Sequence, residues 1–255
     1  MISGAGGVLG RAFIKRLLAD GHKIFASEIN SSMVDSLNKS FSDSEMFYCS
    51  KCDVTSEKQV KDWFSELTKE TDIDVVINNA SITSEYLKKI DELPLSFEET
   101  SLKSWEESLN VNLTGSFLIA RELGKHAKSC GKKNLKKLIN LASMYALHGP
   151  DHRIYEGTSI KTFAAYSTTK SGIVGLTRWL STYWADHNIT VNALAPGAVF
   201  NGHEEIFKSR IESKIPLSKM ADKAQIASVM SFLVSDDSNY MTGQLIYADG
   251  GYTIT

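Results

Sequence analysis

Short apolar runs alternate with amphipathic stretches from one end of the chain to the other. HKIFASE (22–28), MFYC (46–49), DVVIN (74–78), KLINLAS (137–143), TVNALAP (190–196) and QLIYADG (244–250) have strand length and are largely apolar throughout. Strands buried on both faces read this way, whereas half-exposed strands alternate. Helical periodicity fills the gaps. It runs from Val8 to Asp20, where Gly21 stops it, from Ser32 to Lys39, and through long stretches near 104–129, 164–187 and 223–234. Ser56, with Gln59 three residues on, predicts a capped helix reaching about Glu70. Such alternation predicts an α/β fold: one doubly wound parallel sheet, helices on both faces, in a single domain over residues 1–255.

Composition narrows the class. The 255 residues are 42% apolar and 23% charged with a net charge of −2, so no basic balance points to nucleic acid or an anionic membrane. No apolar run has membrane-spanning length and no signal peptide is visible, which predicts a cytoplasmic protein. Cys49, Cys52 and Cys130 are too few for a disulfide framework. The CSKC pair has no second pair or histidine nearby in sequence, and His148 and His152 lack a third ligand, so no metal site is expected.

The first ten residues, MISGAGGVLG, hold a turn that runs at once into a helix. Glycines at 4, 7 and 10 permit a tight bend and close backbone approach, and the unpaired N–H groups of a helix start attract phosphate. Glu28 ends the next strand, 18 residues past Gly10. A carboxylate there accepts hydrogen bonds from ribose hydroxyls and repels a 2′-phosphate, and SEINSS carries no Arg or Lys to compensate, which favours NAD over NADP. Only Met1 and Ile2 precede the turn, although a strand should feed it. The expectation is a first strand largely missing from the given N-terminus, lying between the strands at 23–28 and 74–78, with the natural start upstream of Met1. About five further strand residues would belong there, and their absence predicts a void and unpaired backbone groups.

Tyr166 and Lys170, in YSTTK, share one face of a helix at i and i+4. A nearby ammonium favours a phenolate, which would make Tyr166 an acid/base near neutral pH. Ser143 ends the strand LINLAS, where its hydroxyl can meet a carbonyl oxygen. Asn112 sits inside a helical stretch that asparagine disfavours. Asn78, Asn79 and Pro196-Gly197 end strands at the same edge of the sheet.

Taken in order, SGAGGVLG, CDVT, NNA, NVNLTG, INLAS, YSTTKSG, VNALAPG and TGQLIYADGG resemble a short-chain dehydrogenase/reductase of the single-domain branch. The resemblance implies a Rossmann-like fold and interconversion of a secondary alcohol and a ketone. It makes Tyr166 the acid/base, with Lys170 lowering its pKa and binding the nicotinamide ribose. Ser143 would orient the substrate oxygen and Asn112 hold a relay water. For the cofactor it implies Ser3, Gly4, Gly7, Val8, Leu9 and Gly10 at the pyrophosphate, with Glu28 at the ribose. Asp53 and Val54 would meet the adenine, with Asn79 and Ala80 behind the cofactor. Pro196, Gly197 and Val199 would join Tyr166 and Lys170 near the nicotinamide. Substrate would meet Ser143, Tyr145, Tyr155 and Tyr166. Assembly as a homodimer or homotetramer through the helices near 104–129 and 164–187 is implied as well.

The chain departs from the family pattern in four places. Its GxxGxxG spacing resembles the longer, sugar-nucleotide branch, which keeps an NAD-dependent epimerase or dehydratase open, as is a non-catalytic NAD-binding protein on the same fold. Ser143 and Tyr166 are 23 residues apart because of the addition HGPDHRIYEGTSIKT, and the span from Ala80 to Asn112 is also long. AVFNGHEE follows Gly197 where the family often has a threonine, and 198–216 is the candidate lid. His148, Asp151, His152, Arg153, Tyr155 and Glu156 favour a polar, sugar-like substrate. RIYEGTS resembles members of flagellin-glycan and nonulosonic-acid pathways.

Overall fold

In the computed structural model, which describes residues 1–69, 71–94, 96–131 and 134–255, seven parallel strands form one sheet in the order β3-β2-β1-β4-β5-β6-β7. They are β1 (Ile2–Ser3), β2 (Ile24–Glu28), β3 (Phe47–Lys51), β4 (Val75–Asn78), β5 (Lys136–Leu141), β6 (Ile189–Pro196) and β7 (Leu245–Ala248). Every pairing is parallel, and the strand order switches direction between β1 and β4, where such sheets bind ligands in the crevice outside the C-terminal ends of the strands. Each predicted strand is present, and β5 is buried along its whole length, as its apolar run requires.

Helices cover both faces. On one, Phe13, Ile14 and Leu17 of α1 (Val8–Ala19) pack with Ile226, Met230 and Leu233 of α9 (Lys223–Val234). On the other, Trp63 and Phe64 of α3 (Glu57–Leu67) meet Leu118 and Leu123 of α6 (Gly115–Cys130). The remaining helices are α2 (Ser31–Ser40), α4 (Ser84–Lys89), α5 (Leu102–Leu109), α7 (Ala164–Tyr183) and α8 (Glu205–Glu212). Ser56 caps α3 as predicted, but Gln59 accepts from the Asp53 amide rather than closing a capping box; Asp222 and Gln225 form that device on α9. The expected end of α3 at Glu70 lies outside the described residues. The stretch expected as one helix over 104–129 is broken: α5 passes through a π-helical turn, Asn110–Thr114, into α6.

β1 is two residues long and pairs with β2 on one side and β4 on the other, the position expected from the sequence. Ahead of it lies a void of ≈160 Å³ whose lining includes Met1, Ile14, Leu17, Phe25, Ile73 and Val234. The Met1 amine donates to the Val75 carbonyl at 2.7 Å, and its burial pulls its pKa from 8.0 to about 5 against the attraction of Asp74. No helix among the described residues is long and apolar enough to cross a membrane.

Candidate active site at the C-terminal edge of the sheet

The glycine turn is held from below by β4. Asn79 donates its amide to the carbonyls of Ser3 (3.1 Å) and Gly4 (2.7 Å), and the Ser3 hydroxyl accepts from the backbone N–H groups of Asn79 and Ala80. Gly4 has φ +63°, and a Cβ there would come within 2.5 Å of Ala80. A Cβ on Gly10 would strike the carbonyl oxygens of Gly4 and Ala5 at 2.7 Å. These two positions tolerate only glycine, for backbone geometry and for approach respectively. Gly7 begins α1 with no side-chain cap, so the first amides of the helix stay open to an anion. Val8 and Leu9 follow in the first turn, Val8 facing outward.

Glu28 stands beside this turn, accepting from the amides of Gly6 (3.0 Å) and Ile29 (2.9 Å). The fold also brings Arg11 here: its Nε donates to the Gly6 carbonyl at 3.2 Å and its guanidinium reaches Met33 Sδ at 2.8 Å. A search confined to SEINSS misses this cation because it comes from α1. Asp53 turns its carboxylate to the Thr55 amide and hydroxyl, and Val54 is buried against Gly115. Pro196 ends β6, the Gly197 amide donates to the Ala248 carbonyl, and Val199 bridges to Ala221. The residues expected around a dinucleotide thus line one edge, and the turn, open amides and acid fit that group.

Across the crevice, the end of β5 and the first turns of α7 bring the acid/base candidates together. The Ser143 side chain lies near Tyr166 and opposes the rise in its pKa, and Ser143 also accepts from the Tyr145 amide at 3.2 Å. Lys170 is buried and donates to the Leu141 carbonyl at 2.8 Å; desolvation lowers its pKa to about 8. The expectation that Lys170 depresses the Tyr166 pKa is not met. Burial raises the Tyr166 pKa, and the opposing pull comes from Ser143. The ammonium points to Leu141 and lies 5.5 Å from the centre of the tyrosine ring, away from a direct bond to the hydroxyl.

Asn112 occupies the π-helical turn, a feature that often marks functional sites. Its Oδ1 accepts from the Ile82 amide at 2.6 Å, while Nδ2 donates to the Thr169 hydroxyl and the Ile82 carbonyl. This side chain thus positions the loop after β4 against α7. Asn78 ends β4 as expected, and its buried side chain donates to Asn140 Oδ1 (2.8 Å) and to the Ser116 carbonyl (3.1 Å). Asn140 donates in turn to Thr177 on α7, so the sheet interior and both site-bearing helices are tied together. Asn140, Thr169 and the Leu141 carbonyl were missed because nothing local in sequence sets them apart.

The two added segments flank Tyr166. Tyr145 and Tyr155 share a 2.8 Å hydrogen bond between their hydroxyls, and Tyr252 packs edge-on to Tyr145. Part of the charge in 148–162 is held by neighbouring side chains, while His152 and Glu156 line a cleft. Asp151 binds Arg153 within the segment, while the Asp151–Lys214 pair, the bond from Arg210 to the Glu156 carbonyl and that from Ser159 to Glu204 join 148–162 to the α8 segment. His148 packs on Tyr247. A cleft of ≈620 Å³ runs between the additions, from Ser96, Phe97 and Thr100 to Pro150, Tyr155 and Ser167. The CSKC cysteines are buried, their pKa values pushed up to about 12, so neither is a ready nucleophile.

A family model described as enoyl-(acyl carrier protein) reductase matches residues 4–253. The chain belongs to the short-chain dehydrogenase/reductase family. Over 201 residues, 77% of this chain and 72% of the relative, it is 32% identical to the 3-oxoacyl-[acyl-carrier-protein] reductase of Aquifex aeolicus. It is 28% identical to the 2-dehydro-3-deoxy-D-gluconate 5-dehydrogenase of Bacillus subtilis, over 99% of this chain and 93% of that one. Identity is also 28% to the post-translational flagellin modification protein A of Campylobacter coli, with 98% and 96% covered. Among solved structures, a short-chain dehydrogenase of Leptospira borgpetersenii with bound NAD⁺ superposes with a TM-score of 0.86 at 29% identity, covering 99% of this chain and 91% of that one. A gluconate 5-dehydrogenase of Burkholderia cenocepacia in complex with NADP and tartrate superposes at 0.83 with 25% identity, covering 100% and 94%. These findings support an oxidoreductase of this family and a nicotinamide cofactor.

Proposed function

We propose that this chain is an NAD-dependent oxidoreductase that interconverts a secondary alcohol and a ketone on a polar, sugar-like molecule. The observation that carries the reading is the convergence of Ser143, Tyr166 and Lys170 across the crevice from the glycine turn and Glu28. When bound, the nicotinamide supplies or accepts the hydride. Tyr166 handles the proton at its phenolic oxygen. Its raised pKa keeps it protonated at neutral pH, the form that donates to a carbonyl oxygen during reduction. Ser143 bonds the same substrate oxygen and helps to hold developing charge. Lys170 places a buried ammonium below the phenol and is the chain's donor for a ribose hydroxyl. Asn112 fixes the loop after β4, and Glu28 receives the adenosine ribose.

The sugar-like substrate rests on the gluconate-type and flagellin-modifying relatives and on the Tyr145–Tyr155 hydroxyl pair beside Tyr166. Exposed Phe117 on α6 and Trp179 and Tyr183 on α7 support assembly through these helices. The decisive experiment is Tyr166→Phe, assayed for turnover on a panel of polyols and keto-sugars and for NADH binding by fluorescence. Turnover falls by about 10²–10⁴-fold while NADH binding is kept; retained turnover would remove Tyr166 from the chemistry.

A further inference from the structure

At the sheet edge opposite Tyr166, three chemically distinct ligands converge. Asp72 precedes β4, while His126 and Cys130 stand one turn apart at the end of α6. Asp72 Oδ1 lies 2.7 Å from His126 Nε2, and Cys130 Sγ lies 3.6 Å from that nitrogen and 3.7 Å from that oxygen. We propose that Asp72, His126 and Cys130 bind one Zn²⁺ ion, with water in the fourth position.

The donor set is the first argument. Thiolate, imidazole and carboxylate together suit a borderline cation that accepts tetrahedral geometry, and zinc is the metal that fits all three. Distances are the second. Zinc bond lengths in a tetrahedron give ligand–ligand edges of about 3.6 Å to sulfur and about 3.4 Å between nitrogen and oxygen. Both sulfur edges already have that length. The nitrogen–oxygen edge is shorter because the ring and carboxylate now bond directly; the metal replaces that bond and the 3.3 Å bond that Nε2 accepts from the Ile73 amide, and the edge opens. The sulfur is also 3.7 Å from Nδ1, so it lies over the ring and a change of Cys130 rotamer accompanies binding.

The surroundings are the third argument. Lys136, almost wholly buried, holds the other carboxylate oxygen, Oδ2, at 2.5 Å, leaving Oδ1 turned toward His126 and Cys130. Such second-layer bonds orient metal ligands. Asp74, 3.4 Å from Lys136, balances its charge, so a Zn²⁺ ion with one thiolate and one carboxylate leaves the cluster neutral. Binding replaces the thiol proton with a sulfur–zinc bond and releases that proton to water. The ion ties the end of α6 to the start of β4. Neither CSKC nor His148 and His152 contributes; the ligands are 54 and 4 residues apart along the chain, a spacing that matches no local motif.

The test uses the full 255-residue chain, freed of metal with a chelator, then titrated with Zn²⁺ by calorimetry and with Co²⁺ by absorption. One equivalent of Zn²⁺ binds, thermal unfolding moves upward with Zn²⁺ concentration, and Co²⁺ shows a thiolate charge-transfer band with intense tetrahedral bands. Cys130→Ser abolishes the charge-transfer band, and His126→Gln weakens Zn²⁺ binding by at least about tenfold. His152→Gln changes neither. A Co²⁺ spectrum without the thiolate band, or Zn²⁺ binding unaltered in both ligand variants, overturns the proposal. Should Cys130→Ser fold poorly, alkylation of Cys130 in the wild-type chain gives the same reading: Zn²⁺ slows it, and no protection overturns the site. Turnover of Cys130→Ser stays at the wild-type level because the cluster lies at the far edge from Tyr166.

Discussion

At the C-terminal edge of the sheet the Lys170 ammonium is buried against one backbone carbonyl, that of Leu141; at the N-terminal edge the Met1 amine is buried against another, that of Val75. Desolvation lowers both pKa values, to about 8 and about 5. The neighbours differ. Lys170 lies under the Tyr166 ring, in a crevice bounded by Ser143 and the glycine turn. Met1 faces a pocket of mixed lining, with Ile14, Leu17 and Phe25 beside His22, Asp72 and Asp74, and of these Asp74 acts on its charge. Burying an amine is thus not a functional sign in itself; what shares the space decides whether the cost serves chemistry or burdens the fold.

The largest effect that would break this comparison is on Lys170. Lys170→Met keeps the stem and removes the charge, and turnover falls by about 10²-fold or more, with the pH profile displaced. Unchanged kinetics would reduce Lys170 to a structural lysine like Lys137, which bonds Ser238 and the Ser235 carbonyl.

The Met1 amine predicts a stability change with pH. Its folded pKa lies below its unfolded one, so between pH 8 and about 5 the unfolded chain binds more protons than the fold. Stability of the 255-residue chain is therefore full above pH 8 and declines as pH falls, by up to about 4 kcal/mol at pH 5. Denaturant titrations across that range measure it, and acetylation of the amine, for which the void leaves room, removes the component.

Asn79→Ala removes both clamps on the glycine turn and leaves the Ser3 and Gly4 carbonyls without that donor, costing about 1–3 kcal/mol in urea unfolding together with weaker NADH binding. Unchanged NADH affinity would detach the clamp from cofactor binding. The smallest effect is on Glu28. Glu28→Ala raises the NADPH-to-NADH affinity ratio by about tenfold, or about 1.4 kcal/mol, since Arg11 then stands beside the ribose without an opposing carboxylate. No change in the ratio would mean that Glu28 does not select the cofactor.

Sequence legibility followed the range of the interactions. Strands such as β5 and β6 were readable because burial on both faces writes an apolar run into consecutive residues. The glycine turn, Ser143 and the Tyr166–Lys170 pair were readable because each depends on neighbours within one or two turns. The added segment was less legible: 148–162 looked charged, yet Asp151 pairs with Arg153 inside it and with Lys214 after α8, while Tyr155 bonds Tyr145.

By itself, then, the sequence determined the doubly wound sheet, the place of β1 within it, the glycine turn that opens α1 and the shared helix face of Tyr166 and Lys170, since periodicity and short spacing carry that information. The tertiary structure alone decided that the Tyr166 pKa is raised, that Asn112 is committed to Ile82 and Thr169, that Arg11 stands beside Glu28, and that Asp72 meets His126 and Cys130. Desolvation and hydrogen-bond direction depend on what surrounds an atom in space, and residues far apart along the chain supply those surroundings.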